Sequence, residues 1–115
     1  MPLASGALTG KFTRDTKFPK GDWRSEWTSN NWVAEMVAQV EKLKFLTEDG
    51  TPLTHAALKY CLAHPAVSAV IPGIRNARQA EANLSALDGM PMPAEHVARL
   101  RELYRKKEIG GLFFT

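Results

Sequence analysis

The clearest indication of the fold class is the stretch VSAVIPGIRNARQ, which occupies residues 67–79. Residues 67–71 are apolar on both faces, which is typical of a strand buried in a parallel sheet. Pro72-Gly73 breaks this strand, and Asn76 can cap the helix that follows. The side chains predicted to be buried on that helix are Ala77, Ala80, Leu84 and Leu87. A buried strand that turns directly into a helix predicts an α/β protein.

Further helices are predicted on both sides of this unit. Helical periodicity and capping residues give the ranges from Asn30 or Asn31 to about Leu46, from Pro52 to about His64, and from about Pro93 to Glu108. Gly110-Gly111 ends the last helix and leaves an apolar tail, Leu112-Phe113-Phe114. The chain is therefore predicted to be rich in helix.

The N-terminal part is less regular. Pro2-Leu3-Ala4 fits a short extended piece, and residues 13–31 show neither helical nor strand periodicity. Loops of that length inside compact domains tend to be functional or disordered, and the tryptophans in this one argue against plain disorder. Trp23 and Trp27 could line a substrate pocket or form a hydrophobic cluster under the loop, and both alternatives stay open.

The composition is that of a soluble globular domain. The chain has 115 residues, 44% hydrophobic and 23% charged, with a net charge of +3, and this length suits one domain. No apolar run approaches the roughly 20 residues needed to span a bilayer. Glutamates interleave with the basic residues of the last predicted helix, which is typical of a solvated helix rather than of a nucleic-acid-binding one. We therefore expect neither membrane nor nucleic-acid binding. Cys61 is the only cysteine, which excludes an internal disulfide and a multi-thiolate metal site. We therefore expect no metal and a cytoplasmic protein.

A phosphate site is indicated where residues 72–76 lead into the predicted helix. The free amides of the first helical turn form an anion site, and the planar guanidinium of Arg75 could pair with a phosphate there. Gln79 and Asn83 are four residues apart and share a helix face, which would suit an adenosine 2′-phosphate and an adenine. The alternative is a capped helix with an exposed polar face.

Two motifs together resemble those of the C-terminal part of the aldo-keto reductases. They are PLASGALTGK at residues 2–11 and VIPGIRNARQ at residues 70–79, the second followed by Asn83. The resemblance implies the C-terminal portion of a (β/α)8 TIM barrel, its last two β/α units, with about two parallel strands. Residues 1–115 would then be a single partial domain. Residues 1–31 would hold a strand and a long cofactor loop, and residues 32–115 the helices, one strand and the motif for the 2′-phosphate of NADP.

The resemblance also implies NADP(H) as the cofactor. Carried over by position, the family's cofactor contacts fall on Pro2, Leu3, Ala4, Ser5, Gly6, Thr9, Lys11, Arg24, Gly73, Arg75, Gln79 and Asn83. Those of the first motif would lie along the pyrophosphate, and Arg24 would fold over the cofactor. Ala82 stands where the family usually has an acidic residue that reaches the adenine, so we expect weaker adenine contacts.

No catalytic residue is expected in this chain. The family's catalytic Asp, Tyr, Lys and His belong to earlier strands, and no position here matches them. Tyr60 lies beside Lys59, but neighbours on a helix point about 100° apart and cannot form one proton-transfer pair.

We therefore expect a truncated oxidoreductase segment that could act on a carbonyl substrate only if its barrel were completed. Other copies of the chain or another polypeptide would supply the rest, and a homo-oligomer is the expected state. The alternative is a non-catalytic relic or interaction module that binds nucleotide weakly or not at all.

Overall fold

The structure, a computed structural model, describes residues 1–110 apart from the side chain of Ser29. Within that range there are two 3₁₀ helices, Ala4–Thr9 and Lys44–Thr47. The α-helices of the same range are α1 (Ser25–Ser29), α2 (Trp32–Glu41), α3 (Leu53–Leu62), α4 (Ala77–Leu84) and α5 (Ala94–Arg105). The predicted apolar tail, residues 112–114, lies outside the described residues.

The helix-rich part of the prediction is confirmed, whereas the two parallel strands are not found in residues 1–110. Pro2 and Leu3 form a turn that leads into the first 3₁₀ helix. Residues 67–74 have no regular secondary structure, and Ile71 is 89% exposed. An extended segment becomes a strand only when a neighbouring strand accepts and donates its backbone hydrogen bonds, and residues 1–110 contain no such neighbour.

The helix boundaries follow local signals where those signals are strong. Asn76 caps α4 as predicted, since its side-chain Oδ1 accepts a hydrogen bond from the backbone N–H of Gln79 at 2.9 Å. Asn31 precedes α2 without a side-chain capping bond and adopts a left-handed conformation with φ of 59°. The α2 helix ends at Glu41 rather than near Leu46, and the chain continues through a turn into the second 3₁₀ helix.

Two hydrophobic clusters form the core. One cluster, called the first core cluster, packs the 3₁₀ helix Lys44–Thr47 against α3 and α5. Its buried residues are Leu43, Phe45, Leu46, Ala56, Met92 and Leu100. The other, called the second core cluster, packs the 3₁₀ helix Ala4–Thr9 against α1 and α2. Its buried residues are Ala7, Trp27, Val33 and Met36, and Phe12 and Phe18 pack against them. The second cluster therefore fixes the first motif against the long loop.

The α4 helix is attached mainly by polar contacts. No residue of α4 is buried, and Leu84 and Leu87, predicted to be buried, are each 65% exposed. The ring Nε2 of His55 lies 2.8 Å from the carbonyl oxygen of Ala82, and Lys59 forms an ion pair of 2.8 Å with Asp88 just after α4. The apolar stripe stays exposed because no apolar surface of residues 1–110 covers it.

None of the helices formed by residues 1–110 combines the length and the apolar character needed to cross a lipid bilayer.

Candidate functional site

The first motif forms a tight turn with an unusual backbone. Ala4, Ser5 and Gly6 all have positive φ, at 46°, 54° and 99°. For a residue with a Cβ this conformation costs about 1–2 kcal/mol, and such strain is concentrated at functional sites. Thr9 stabilises the turn, since its Oγ1 donates to the carbonyl oxygen of Gly6 at 2.7 Å. The Lys11 side chain is exposed beside this turn.

Arg24 reaches back across the long loop to this turn. Its Nη1 donates to the carbonyl oxygen of Ser5 at 3.2 Å, although the two residues are 19 positions apart. Its Nε and Nη2 donate to Oδ1 and Oδ2 of Asp22 at 3.0 and 2.7 Å, a bidentate ion pair that is about one quarter exposed at the arginine. The structure thus brings Arg24 and the first motif together.

Aromatic side chains surround the Arg24 guanidinium. Its Cζ lies 4.6 Å from the ring centroid of Phe18 and 6.0 Å from that of Phe12, within the range of cation–π attraction. Gly6 leaves room for this arrangement, because a Cβ there would stand 3.3 Å from Cζ of Phe12 and 3.5 Å from Nη1 of Arg24. A side chain at position 6 would therefore press on the Phe12 ring and stand in contact with Arg24.

The loop tryptophans take different positions. Trp27 is 3% exposed and belongs to the second core cluster, where its ring packs edge-on against Phe18 and Trp23. Trp23 is 63% exposed beside Arg24. The structure therefore places Trp27 in a hydrophobic cluster under the loop, whereas Trp23 contacts the Trp27 ring and faces solvent.

The Asp22 carboxyl has a strongly lowered pKa. Hydrogen bonds from Arg24 lower the pKa of its carboxyl to about 2, and the more distant charge of Arg75 lowers it slightly further. The carboxylate is therefore ionised at every physiological pH. Arg75 therefore lies close enough to Asp22 for its charge to act on that carboxylate, although about fifty positions separate the two residues.

The second motif is held by hydrogen bonds within itself. The backbone N–H of Gln79 donates to Oδ1 of Asn76 at 2.9 Å. In return, Oε1 of Gln79 accepts from the backbone N–H of Arg75 at 2.8 Å. These reciprocal bonds resemble a capping box. Nδ2 of Asn83 lies 3.4 Å from the carbonyl oxygen of Gly73. Two residues predicted to contact a cofactor therefore also hold the loop of the motif.

The Arg75 guanidinium is exposed and forms no ion pair with any described residue. Among residues 1–110, no acceptor lies within hydrogen-bond distance of the backbone N–H groups of Ala77 and Arg78. These groups have the chemistry of an anion site at the start of a helix. A Cβ at Gly73 would meet no atom within 4 Å, so the space around this position does not require glycine.

A cavity of about 190 Å³ reaches the first motif only at Leu8 and lies mainly among residues of α3, α5 and the second 3₁₀ helix. It is lined by Leu8, Leu43, Leu46, Leu53, Ala56, Ala57, Tyr60, Leu100, Tyr104 and Ile109. These side chains offer almost no polar surface and no carboxylate, imidazole or amine. The cavity therefore has no proton-transfer pair to replace the missing catalytic residues.

Sequence reasoning missed Asp22, Phe12 and Phe18 as parts of the site. The spacing Asp-x-Arg in residues 22–24 was an available signal, because an aspartate can accept bonds from the backbone and the side chain two positions later. Nothing in the sequence pattern indicated that the two phenylalanines meet the arginine.

The matches to known proteins cover the part of the chain that contains both motifs. The model of the aldo/keto reductase family matches residues 1–105. A probable voltage-gated potassium channel subunit beta of Arabidopsis thaliana is 31% identical over 97 residues, which cover 79% of this chain and 29% of that protein. Aflatoxin B1 aldehyde reductase member 2 of Rattus norvegicus is 34% identical over 109 residues, 79% of this chain and 30% of the rat protein.

An aldo-keto reductase of Pseudocercospora fijiensis is 29% identical over 116 residues, 90% of this chain and 39% of that protein. This chain thus spans between 29% and 39% of the length of these curated relatives. No solved structure matches it.

Proposed function

The chain belongs to the aldo/keto reductase family, and from this premise we propose that it binds NADP(H) as the cofactor-binding segment of an oxidoreductase that reduces aldehydes or ketones. The observation that carries the proposal is the exposed Arg75 guanidinium, which forms no ion pair within residues 1–110 and comes two and three positions before the open backbone N–H groups of Ala77 and Arg78. A phosphate would satisfy all three groups at once.

Each motif would hold a different part of the cofactor. Arg75 and the N–H groups of Ala77 and Arg78 would bind the 2′-phosphate. Arg24, Lys11 and the turn at residues 2–9 would contact the pyrophosphate with opposite charge and backbone groups. When bound, the nicotinamide supplies a hydride for the carbonyl carbon. Residues of this chain bind and orient the cofactor in this proposal, and they include no group that protonates the substrate.

The proton donor would come from outside these 115 residues. The relatives are about three times as long as the matched stretch, so the activity of a whole family member is itself part of the proposal. Ile71, Leu84 and Leu87 form exposed apolar surface that a second copy or another polypeptide could cover. We place the resulting homo-oligomer in the cytoplasm, a reducing compartment that suits a single cysteine.

The alternative is a non-catalytic interaction module. The same exposed apolar side chains favour it, and so does similarity at comparable identity both to a protein named as a channel subunit and to one named as a reductase. Such a module would bind its partner through residues 67–90 and would hold nucleotide weakly or not at all.

NADPH fluorescence titration tests cofactor binding. Hydrogen bonds to charged groups contribute about 1.5–3 kcal/mol, so Arg75→Ala should weaken NADPH binding roughly 10- to 100-fold. NADH, which lacks the 2′-phosphate, should bind the wild type and the variant alike. Arg101→Ala on the exposed face of α5 is the matched control and should change neither affinity. Equal NADPH affinity of Arg75→Ala and wild type would overturn the assignment.

Turnover and solution mass separate the two functions. The enzyme proposal predicts a solution mass above that of one chain, and NADPH-dependent reduction of a generic aldehyde once the residues that supply the proton donor are present in the assembly. The interaction module predicts no turnover at any protein concentration.

A further inference from the structure

A single carboxylate fixes both the backbone and the side chain of Arg24. Oδ1 of Asp22 accepts the backbone N–H of Arg24 at 3.0 Å and also its Nε at 3.0 Å. Oδ2 accepts Nη2 at 2.7 Å. The Asp22 side chain is 19% exposed, so this pair is more shielded from water than the other ion pairs of residues 1–110, in which at least one partner exceeds 40%.

The remaining contacts of Arg24 restrict it further. A guanidinium has five N–H groups, and in this structure Asp22 and the Ser5 carbonyl oxygen accept three of them. The guanidinium also lies over the Phe18 ring, with its Cζ 4.6 Å from the ring centroid, which restricts the group further. Two N–H groups remain for a ligand anion, on a side chain whose rotamer is already set.

We propose that Asp22 is a positioning residue for the cofactor: it holds the Arg24 guanidinium across the first 3₁₀ helix so that the two remaining N–H groups meet the pyrophosphate of NADP(H). This inference rests on the proposed cofactor binding. An arginine side chain loses much rotamer freedom when it binds an anion, and a group that is ordered beforehand avoids most of that loss. Asp22 would thus act on affinity without touching the cofactor.

A purely structural role is the competing explanation, because Asp22 also builds the turn before α1. Its main-chain oxygen accepts the N–H of Ser25 at 2.9 Å, and its side chain accepts the N–H of Arg24. Asp22→Asn separates the two roles. An asparagine oxygen can keep the turn bond, but its amide nitrogen cannot accept the second guanidinium bond. Asp22→Glu keeps the charge on a longer side chain.

The experiment measures NADPH affinity and dissociation rate for the full chain in a double-mutant cycle. We expect Asp22→Asn to weaken NADPH about tenfold, mainly through faster dissociation, and Asp22→Glu to restore part of that loss. In the Arg24→Ala background, Asp22→Asn should cause no further loss of affinity, since its hydrogen-bond partner is gone. Asp15→Asn, an exposed aspartate in the same loop, is the matched control and should match wild type.

Nitrogen-15 NMR of the arginine side chains gives a readout that needs no cofactor. The Nε–H of Arg24 should be protected from exchange in wild type and should lose that protection in Asp22→Asn. A tenfold loss that persists in the Arg24→Ala background would show that Asp22 acts through the turn and would overturn the inference. So would unchanged affinity in Asp22→Asn. Absence of NADPH binding by wild type would instead overturn the proposed function, and the inference with it.

Discussion

Gly6 offers a sharp test of how the first motif is built. Its φ is +99°, and a Cβ at this position would stand 3.3 Å from Cζ of Phe12 and 3.5 Å from Nη1 of Arg24. Gly21 is the natural control, since its φ is +96° and a Cβ there would meet nothing within 4 Å. Alanine at either position therefore introduces the same backbone strain, but only position 6 adds crowding.

The expected magnitudes follow from these two terms. Left-handed strain costs about 1–2 kcal/mol at either position, and crowding adds about 1 kcal/mol for Gly6→Ala. A chain of this length loses about 4 °C of melting temperature per kcal/mol. Thermal unfolding followed by circular dichroism should therefore show a loss of about 4–8 °C for Gly21→Ala and about 8–12 °C for Gly6→Ala. Only Gly6→Ala should also weaken NADPH binding, because it moves the Phe12 ring that lies beside Arg24. Identical melting curves and affinities for the two variants would refute the close packing of Gly6, Phe12 and Arg24.

Three further predictions concern stability. Asn76→Ala removes the cap of α4 and should cost about 1 kcal/mol in chemical denaturation, whereas Asn76→Asp keeps an acceptor and should cost little. Leu100→Ala in the first core cluster should cost about 3 kcal/mol, whereas Leu84→Ala, 65% exposed, should stay within about 0.5 kcal/mol in dilute solution; equal losses would contradict the described core. Lys59→Met should lower the melting temperature at pH 7, because Lys59 lowers the pKa of the Asp88 carboxyl. A lowered pKa stabilises the folded state above the ordinary aspartate value near 3.9, so the difference between variant and wild type should shrink as pH falls below about 4.

What the sequence predicted correctly depends on interactions between near neighbours. The cap at Asn76 needs only a side chain that reaches an N–H three residues ahead, and the structure contains that bond. The predicted strand at residues 67–71 depends instead on a partner strand that pattern analysis cannot supply. The same reason explains Leu84 and Leu87: their spacing correctly indicates an apolar face, but burial requires a second surface.

The candidate site shows the same difference between features that the sequence indicates and contacts that only the folded chain creates. The sequence picked out Arg24 and Arg75, and the structure connects both to Asp22, directly in one case and through space in the other. It did not indicate that Gln79 would bond to the loop backbone, because several acceptors and donors compete for a glutamine at that position. Nor did it predict the contact between Arg24 and Ser5, which spans 19 positions and depends on how residues 10–22 turn back.

The placement of one carboxylate near two arginines has opposite consequences for the two motifs. Neutralising Asp22 would release Arg24 from its ion pair, but it would also remove a negative charge that acts on Arg75 and would repel a nearby phosphate. Asp22→Asn should therefore weaken NADH more than NADPH, since NADH uses the pyrophosphate contact and lacks the 2′-phosphate that gains from the change. Titrating both nucleotides with wild type and Asp22→Asn measures this difference directly, and it should diminish as salt rises because the effect on Arg75 acts at a distance. An equal loss for both nucleotides at low salt would mean that Asp22 influences Arg24 alone.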